Sequence, residues 1–230
     1  MCLRSGIRCS IIGMYDKLSN VIMKLLVIGL KFGIHTRLLN SYHPIPELGI
    51  RIATHREQAV IERWQAISSE ISATPACVMD IGCNLGFYCI ESAKLGHLAI
   101  GIDMPNYARA LMIIRGALAL PNVVPIGIQL SPDNVSILPC ADYLIVLQVF
   151  HHMRIAYGIE KALEIVRVLY GKCDRKLFFE SESDVRITID KNQETGRQNL
   201  VDIFHALGCK NVREIYHDHR RSRSVLVVEK

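Results

Sequence analysis

The sequence predicts an α/β fold: a doubly wound, mostly parallel seven-stranded sheet with an antiparallel last strand and an N-terminal helical extension. Three observations carry this. From Cys77 onward, short runs rich in Val, Ile and Leu alternate with stretches of helical periodicity, the pattern of βαβ units closing into a parallel sheet. The first run gives way to a loop bounded by Gly82 and Gly86, where a chain can turn sharply and approach a ligand. The last two runs are joined by a turn too short for a crossover helix, so they pair as an antiparallel hairpin.

In order, strands are expected at Cys77–Ile81, Leu98–Asp103, Val123–Leu130, Tyr143–Val149, Lys176–Glu180, Val212–Tyr216 and Ser224–Val228. Helices are expected from the glycine loop through Leu95, then at Asn106–Leu120, Ile159–Tyr170 and Glu194–Leu207. Three parts result: an N-terminal helical extension over 1–45, a linker and helix over 46–75, and the core over 76–230. His43–Ile52 is punctuated by Pro44, Pro46 and Gly49 and reads as linker. The helix after it starts near Thr54, whose spacing from Glu57 fits a capping box with Thr54 as N-cap.

The run Val21–Ile34 is strongly apolar but broken by Lys24 and Lys31. It is too short to span a bilayer, which takes about 20 apolar residues, and it lacks the small-residue cleavage site of a signal peptide. It reads as a helix packed on the domain or on a partner subunit. The other reading is an interfacial helix with snorkelling lysines, giving peripheral membrane contact through residues 14–40.

Composition narrows the class. Of 230 residues, 50% are hydrophobic and 21% charged, which is globular rather than disordered or fibrous. The eight cysteines contain no C-x-x-C pair, which argues against zinc and against a secreted disulfide framework. Free thiols in a reducing cytoplasm are the expectation, with no metal site. The net charge of +5 favours an anionic partner without selecting one.

The chemistry centres on Val78-Met79-Asp80-Ile81-Gly82-Cys83-Asn84-Leu85-Gly86. Glycines free the backbone at the strand end, and Asn84 tolerates left-handed angles better than other side chains. The helix that follows aims its N-terminal N–H groups into the same crevice. Asp103 closes the next strand, where a carboxylate accepts hydrogen bonds from a ribose diol. A dinucleotide site wants G-x-G-x-x-G. Here the glycines are four apart and Asp80 stands two residues before the first. A carboxylate at the loop mouth opposes a pyrophosphate but suits a ligand bearing sulfonium and ammonium charges, which favours S-adenosylmethionine over NAD.

Asp80–Gly86 and Asp103 resemble the first and second motifs of the class I S-adenosylmethionine-dependent methyltransferase superfamily, and the likeness runs from about Ala73 to the C-terminus. The segment Asp142–Val149 with Phe150-His151-His152-Met153 is similar to the fourth-motif region of small-molecule, polysaccharide and RNA methyltransferases. The resemblance implies that the loop Gly82, Cys83, Asn84 and Gly86 cradles the methionine end of the cofactor. It also implies that Asp103 holds the ribose, Asp80 supports the loop, Met104 and Leu130 flank the adenine, and Gln148 lies near the methionine carboxylate or the substrate. The family's frequent acid near the end of the third strand is replaced here by Gln129-Leu130-Ser131.

His151 and His152 fall at the carboxyl edge of the sheet, where ligands bind. One of them serves as general base, or the pair only orders the loop through backbone hydrogen bonds. Glu180, closing the fifth strand, is either catalytic or a solvated strand end. The basic run containing Arg220, Arg221 and Arg223 follows a strand expected to run parallel to the others. It therefore opens toward the ligand side, as substrate residues for an anionic acceptor (small molecule, saccharide or RNA) or as a solvated turn. A methyltransferase is the function expected; an accessory protein that binds S-adenosylmethionine without turnover is its rival.

Overall fold

The computed structural model describes residues 21–35, 41–180, 201, 204–205, 207–209, 211–221 and 223–230. The helix expected at Glu194–Leu207 lies mostly outside the described residues. After a helix over residues 21–35, here α1, come α2 (Thr54–Ser68), β1 (Cys77–Ile81), α3 (Phe87–Lys94), β2 (Leu98–Asp103), α4 (Pro105–Ala117) and β3 (Val123–Gly127). Then follow β4 (Ala141–Leu147), α5 (Phe150–Tyr157), α6 (Ile159–Lys172), β5 (Cys173–Glu180), β6 (Asn211–Asp218) and β7 (Arg223–Glu229).

The seven strands form one sheet in the order β3-β2-β1-β4-β5-β7-β6. All neighbours from β3 to β5 are parallel. β7 inserts antiparallel between β5 and β6, so β6 runs with the parallel strands and its C-terminal end shares their carboxyl edge. The chain leaves β1 toward β2 and returns on the other side as β4. That reversal opens a crevice at the carboxyl ends of β1 and β4, where open α/β sheets take ligands.

Strand periodicity of two sends alternate residues to opposite faces. Met79 and Ile81 join Leu144, Val146, Leu177 and Phe179 under α5 and α6. Val78 joins Tyr143, Ile145 and Phe178 under Val60, Trp64 and Ile67 of α2. α6 buries Ala162, Ile165, Val166 and Leu169, one stripe at helical spacing. Burying each large aliphatic side chain is worth about 1.5–3 kcal/mol.

The structure corrects several boundaries. His43–Ile52 is packed rather than a bare linker: Ile45 and Ile50 are 1% and 4% exposed, bridge one another, and share a core cluster with Leu30, Leu85, Ile90 and Ile114. Thr54 is the first helical residue, Ala53 is the N-cap, and no side chain caps the helix. Glu57 is engaged by Arg51 instead, so the capping box does not form. β3 ends at Gly127 because, after the Ile128 N–H reaches the Asp103 carbonyl (2.8 Å), the chain bends to bonds with Asn134. β4 ends at Leu147 because Gln148 turns left-handed (φ 57°).

α1 packs Leu30 inward (5% exposed) while Val21, Leu25, Ile28 and Phe32 are more than half exposed. Among the described residues no helix is long and apolar enough to cross a membrane. The described cysteines are free thiols.

Candidate active site

The crevice opens into a cavity of about 1000 Å³, lined by the carboxyl ends of β1, β2 and β4, by α2, by α5 and by the β6–β7 turn. Its floor is the loop after β1. Gly82 (φ 74°), Asn84 (φ 50°) and Gly86 (φ 81°) are all left-handed, which is why two are glycine and one asparagine. The N–H groups of Gly82 and Cys83 donate to the Ile102 carbonyl at 2.7 and 3.1 Å, tying the loop to β2. A Cβ on Gly82 would lie 2.4 Å from Val149 Cγ2, and one on Gly86 2.3 Å from Leu111 Cδ1. Gly82 thus guards the cavity, whereas Gly86 lets α3 and α4 approach.

Asp103 is fixed by the loop it faces. Its Oδ2 accepts the Asn84 N–H and its Oδ1 the Met104 N–H, both at 2.7 Å, leaving each oxygen a lone pair for a ligand. Burial pushes its pKa up, and the two N–H bonds oppose that. Asp80, 3% exposed, is pushed up to about 8 by burial and then by the Asp103 charge. Among the described residues no Lys, Arg or His pairs with Asp80. Met104 and Leu130 sit on the rim with Gln129, and the Leu130 carbonyl accepts the Tyr157 hydroxyl at 3.0 Å.

The far half of the cavity is organised by Arg63. Its Nη2 donates to Glu180 Oε1 (3.2 Å) and its Nη1 to the Tyr88 hydroxyl (3.3 Å). Glu180 is fully buried; burial raises its pKa, and Arg63 opposes the shift. Its carboxylate also accepts Gln148 Nε2 at 3.3 and 3.4 Å, and its carbonyl accepts the Gln148 N–H at 3.1 Å. Glu180 is therefore neither a solvated strand end nor part of the lining. It holds Arg63 and Gln148, which do line the cavity.

Of the other residues expected at the site, Asp80, Gly82, Asn84, Asp103, His151, His152, Arg221 and Arg223 line the cavity. Cys83, Gly86 and Arg220 do not. Cys83 is fully buried and offers its carbonyl to Gly86 N–H and to His43. Arg220 is exposed, its N–H donating to Asp218 Oδ1. His151 and His152 open α5 with ring centroids 3.8 Å apart.

Sequence reasoning missed the wall from α2 and the segment before it, Tyr42, His43, Arg56 and Arg63, and with it Tyr88 of α3. The Tyr42 N–H donates to Asn84 Oδ1 (3.2 Å). His43 Nδ1 meets the Cys83 carbonyl at 3.2 Å; a carbonyl only accepts, so that nitrogen carries the proton. Burial and the nearby Arg63 hold His43 down at about 4, so it is neutral at pH 7. One signal was available for Arg63, a charge set within the apolar stripe Val60–Trp64–Ile67.

No family model matches the sequence, and no curated protein matches it. Solved structures match in shape. WbdD, a bifunctional kinase-methyltransferase, superposes with a TM-score of 0.60 at 19% identity, over 81% of this chain and 44% of WbdD. The chain thus spans less than half of WbdD. Magnesium protoporphyrin IX methyltransferase from Synechocystis PCC 6803, with S-adenosylhomocysteine bound, gives 0.56 at 16% identity over 78% of this chain and 89% of that one. A SAM-dependent methyltransferase from Aquifex aeolicus gives 0.52 at 16%, over 72% and 88%. Strand order, glycine loop and these likenesses agree: the chain has the fold of the class I S-adenosylmethionine-dependent methyltransferases.

Proposed function

We propose that this chain binds S-adenosylmethionine against the loop after β1 and transfers its methyl group to an acceptor seated in the far half of the same cavity. The observation that carries the reading is Asp103, whose carboxylate is locked to the glycine loop by the Asn84 N–H and offers its remaining lone pairs to a ribose diol. The residues fit the cofactor elsewhere too. Asp80 is a buried carboxyl at the loop mouth without a cationic partner among the described residues, which suits a ligand carrying sulfonium and ammonium charges. Met104 and Leu130 border the place for the adenine, and Asn84, Gly82 and Gln148 border the methionine end. Cys83 and Gly86 shape the loop from behind.

When bound, S-adenosylmethionine would supply a sulfonium methyl whose carbon the acceptor attacks in line, the C–S bonding pair leaving with S-adenosylhomocysteine. The chain's part is to orient the acceptor, exclude water and hold the proton it gives up. His151 or His152, on the cavity wall, takes that proton. Glu180 acts as a positioning residue through Gln148 and Arg63. The room beyond the cofactor half favours turnover over an accessory role. Calorimetry with S-adenosylmethionine, S-adenosylhomocysteine and NAD tests the cofactor, and S-adenosylhomocysteine release over an acceptor panel tests turnover. Binding of NAD alone would overturn the reading.

A further inference from the structure

The half of the cavity away from Asp103 is walled by arginines. Arg56 and Arg63 stand seven residues apart on α2 and so share one helix face, and Arg221 and Arg223 reach the same cavity from the β6–β7 turn. Arg63 is the informative one. Its side chain is 4% exposed, Glu180 and Tyr88 occupy its Nη2 and Nη1, and its buried Nε has no hydrogen-bond partner among the described residues. Folded proteins leave few such groups unmet, because a buried donor without an acceptor keeps its full desolvation cost. Arg63 lines the cavity, so an oxyanion there that draws its guanidinium outward supplies the acceptor its buried Nε lacks.

Among the described residues, Glu180 lies behind Arg63 and Asp218 accepts the Arg220 backbone N–H. Planar guanidinium forks match the paired oxygens of phosphate and carboxylate groups.

We propose that Arg56, Arg63, Arg221 and Arg223 form an oxyanion-binding subsite, and that it anchors a phosphate or carboxylate group of the methyl acceptor. The link to the acceptor rests on the methyl-transfer reading; the subsite does not. Inorganic phosphate and malonate, titrated into the full chain at low salt by calorimetry, test it. At least one of them is expected to bind one site per chain and to weaken as salt is raised. Arg56→Gln and Arg221→Gln should each cut that affinity about tenfold, the loss of one charge-assisted contact, with S-adenosylhomocysteine affinity unchanged. Arg63→Lys keeps a positive charge for Glu180 but removes the Nε–H, and should weaken the oxyanion equally in a chain that still melts cooperatively. Should Arg63→Lys fail to fold, Arg56→Gln and Arg221→Gln still decide. Preference for phosphate or for malonate tells which oxyanion the site takes. Absence of binding by both probes, or binding indifferent to the substitutions, overturns the proposal. Oxyanion binding by a chain that fails to bind S-adenosylhomocysteine leaves the subsite standing and removes the methyl-transfer reading instead.

Discussion

Replacing Asp103 by Asn changes one atom and two hydrogen bonds. In the native chain each carboxylate oxygen accepts one backbone N–H at 2.7 Å, from Asn84 on the glycine loop and from Met104 at the start of α4. A carboxamide has one oxygen, so whichever way it flips, one N–H faces an NH₂ group. Losing a charge-assisted bond of this kind costs about 1.5–3 kcal/mol. For a domain of this size that is roughly 3–12 °C in melting temperature. The cofactor loses more than the fold, because the ribose diol then meets one acceptor oxygen and a loosened loop. A further loss of about 2–3 kcal/mol lowers S-adenosylhomocysteine affinity roughly 30- to 150-fold. Calorimetry on Asp103→Asn, with thermal unfolding of the same sample, reads both numbers. A variant that melts and binds like the native chain would refute both the lock on the loop and the ribose assignment.

Gly86→Ala puts a Cβ 2.3 Å from Leu111 Cδ1 at a φ of 81°, so denaturant unfolding should show a loss of about 2–4 kcal/mol; Gly82→Ala, directed at Val149 on the cavity wall, should weaken cofactor binding in calorimetry more than Gly86→Ala does. Arg63→Met strands the buried Glu180 and should cost about 3–5 kcal/mol, whereas Arg63→Met with Glu180→Leu should recover most of it; a double variant as unstable as the single would locate the damage elsewhere. Asp80 ionises near pH 8 in the folded chain against 3.8 ordinarily. Between those values the folded chain keeps a proton that the unfolded chain has lost, so stability falls as pH rises through that window. A cationic ligand expels this proton, so S-adenosylmethionine should bind more tightly from pH 6 to pH 8, with an enthalpy that depends on the buffer, and Asp80→Asn should flatten both effects.

What could be read from the sequence was local. The turn after β1 imposes left-handed backbone at Gly82, Asn84 and Gly86, and such positions select their residues visibly. Asp103 was legible because a carboxylate at a strand end beside that loop has few other purposes. The hairpin followed from the shortness of its turn. The insertion of β7 between β5 and β6 was not legible, since alternation of apolar residues says which face a strand buries and not which strand it borders. His43 looked like linker, and Tyr42 like the end of the N-terminal extension, because their partners, Cys83 and Asn84, lie about forty residues on. Glu180 was misjudged for the same reason: a carboxylate after an apolar strand looks solvated until a cation from a distant helix is known to cover it. The capping box failed by one residue, as Arg51 took the glutamate that Thr54 was expected to share.

The two halves of the cavity differ in how much chain must be gathered to make them. Asp103 and Asn84 are 19 residues apart in sequence, and Arg63 and Glu180 are 117 apart. Closing a longer loop costs more chain entropy, and contacts of wide separation slow folding. The glycine loop and Asp103 can therefore come together within the first βαβ unit while the chain is still largely open. The arginine wall exists only once β5 has taken its place beside β4 and α2 has docked over both. In time as well as in space, the wall for the acceptor is built onto the loop that receives the donor.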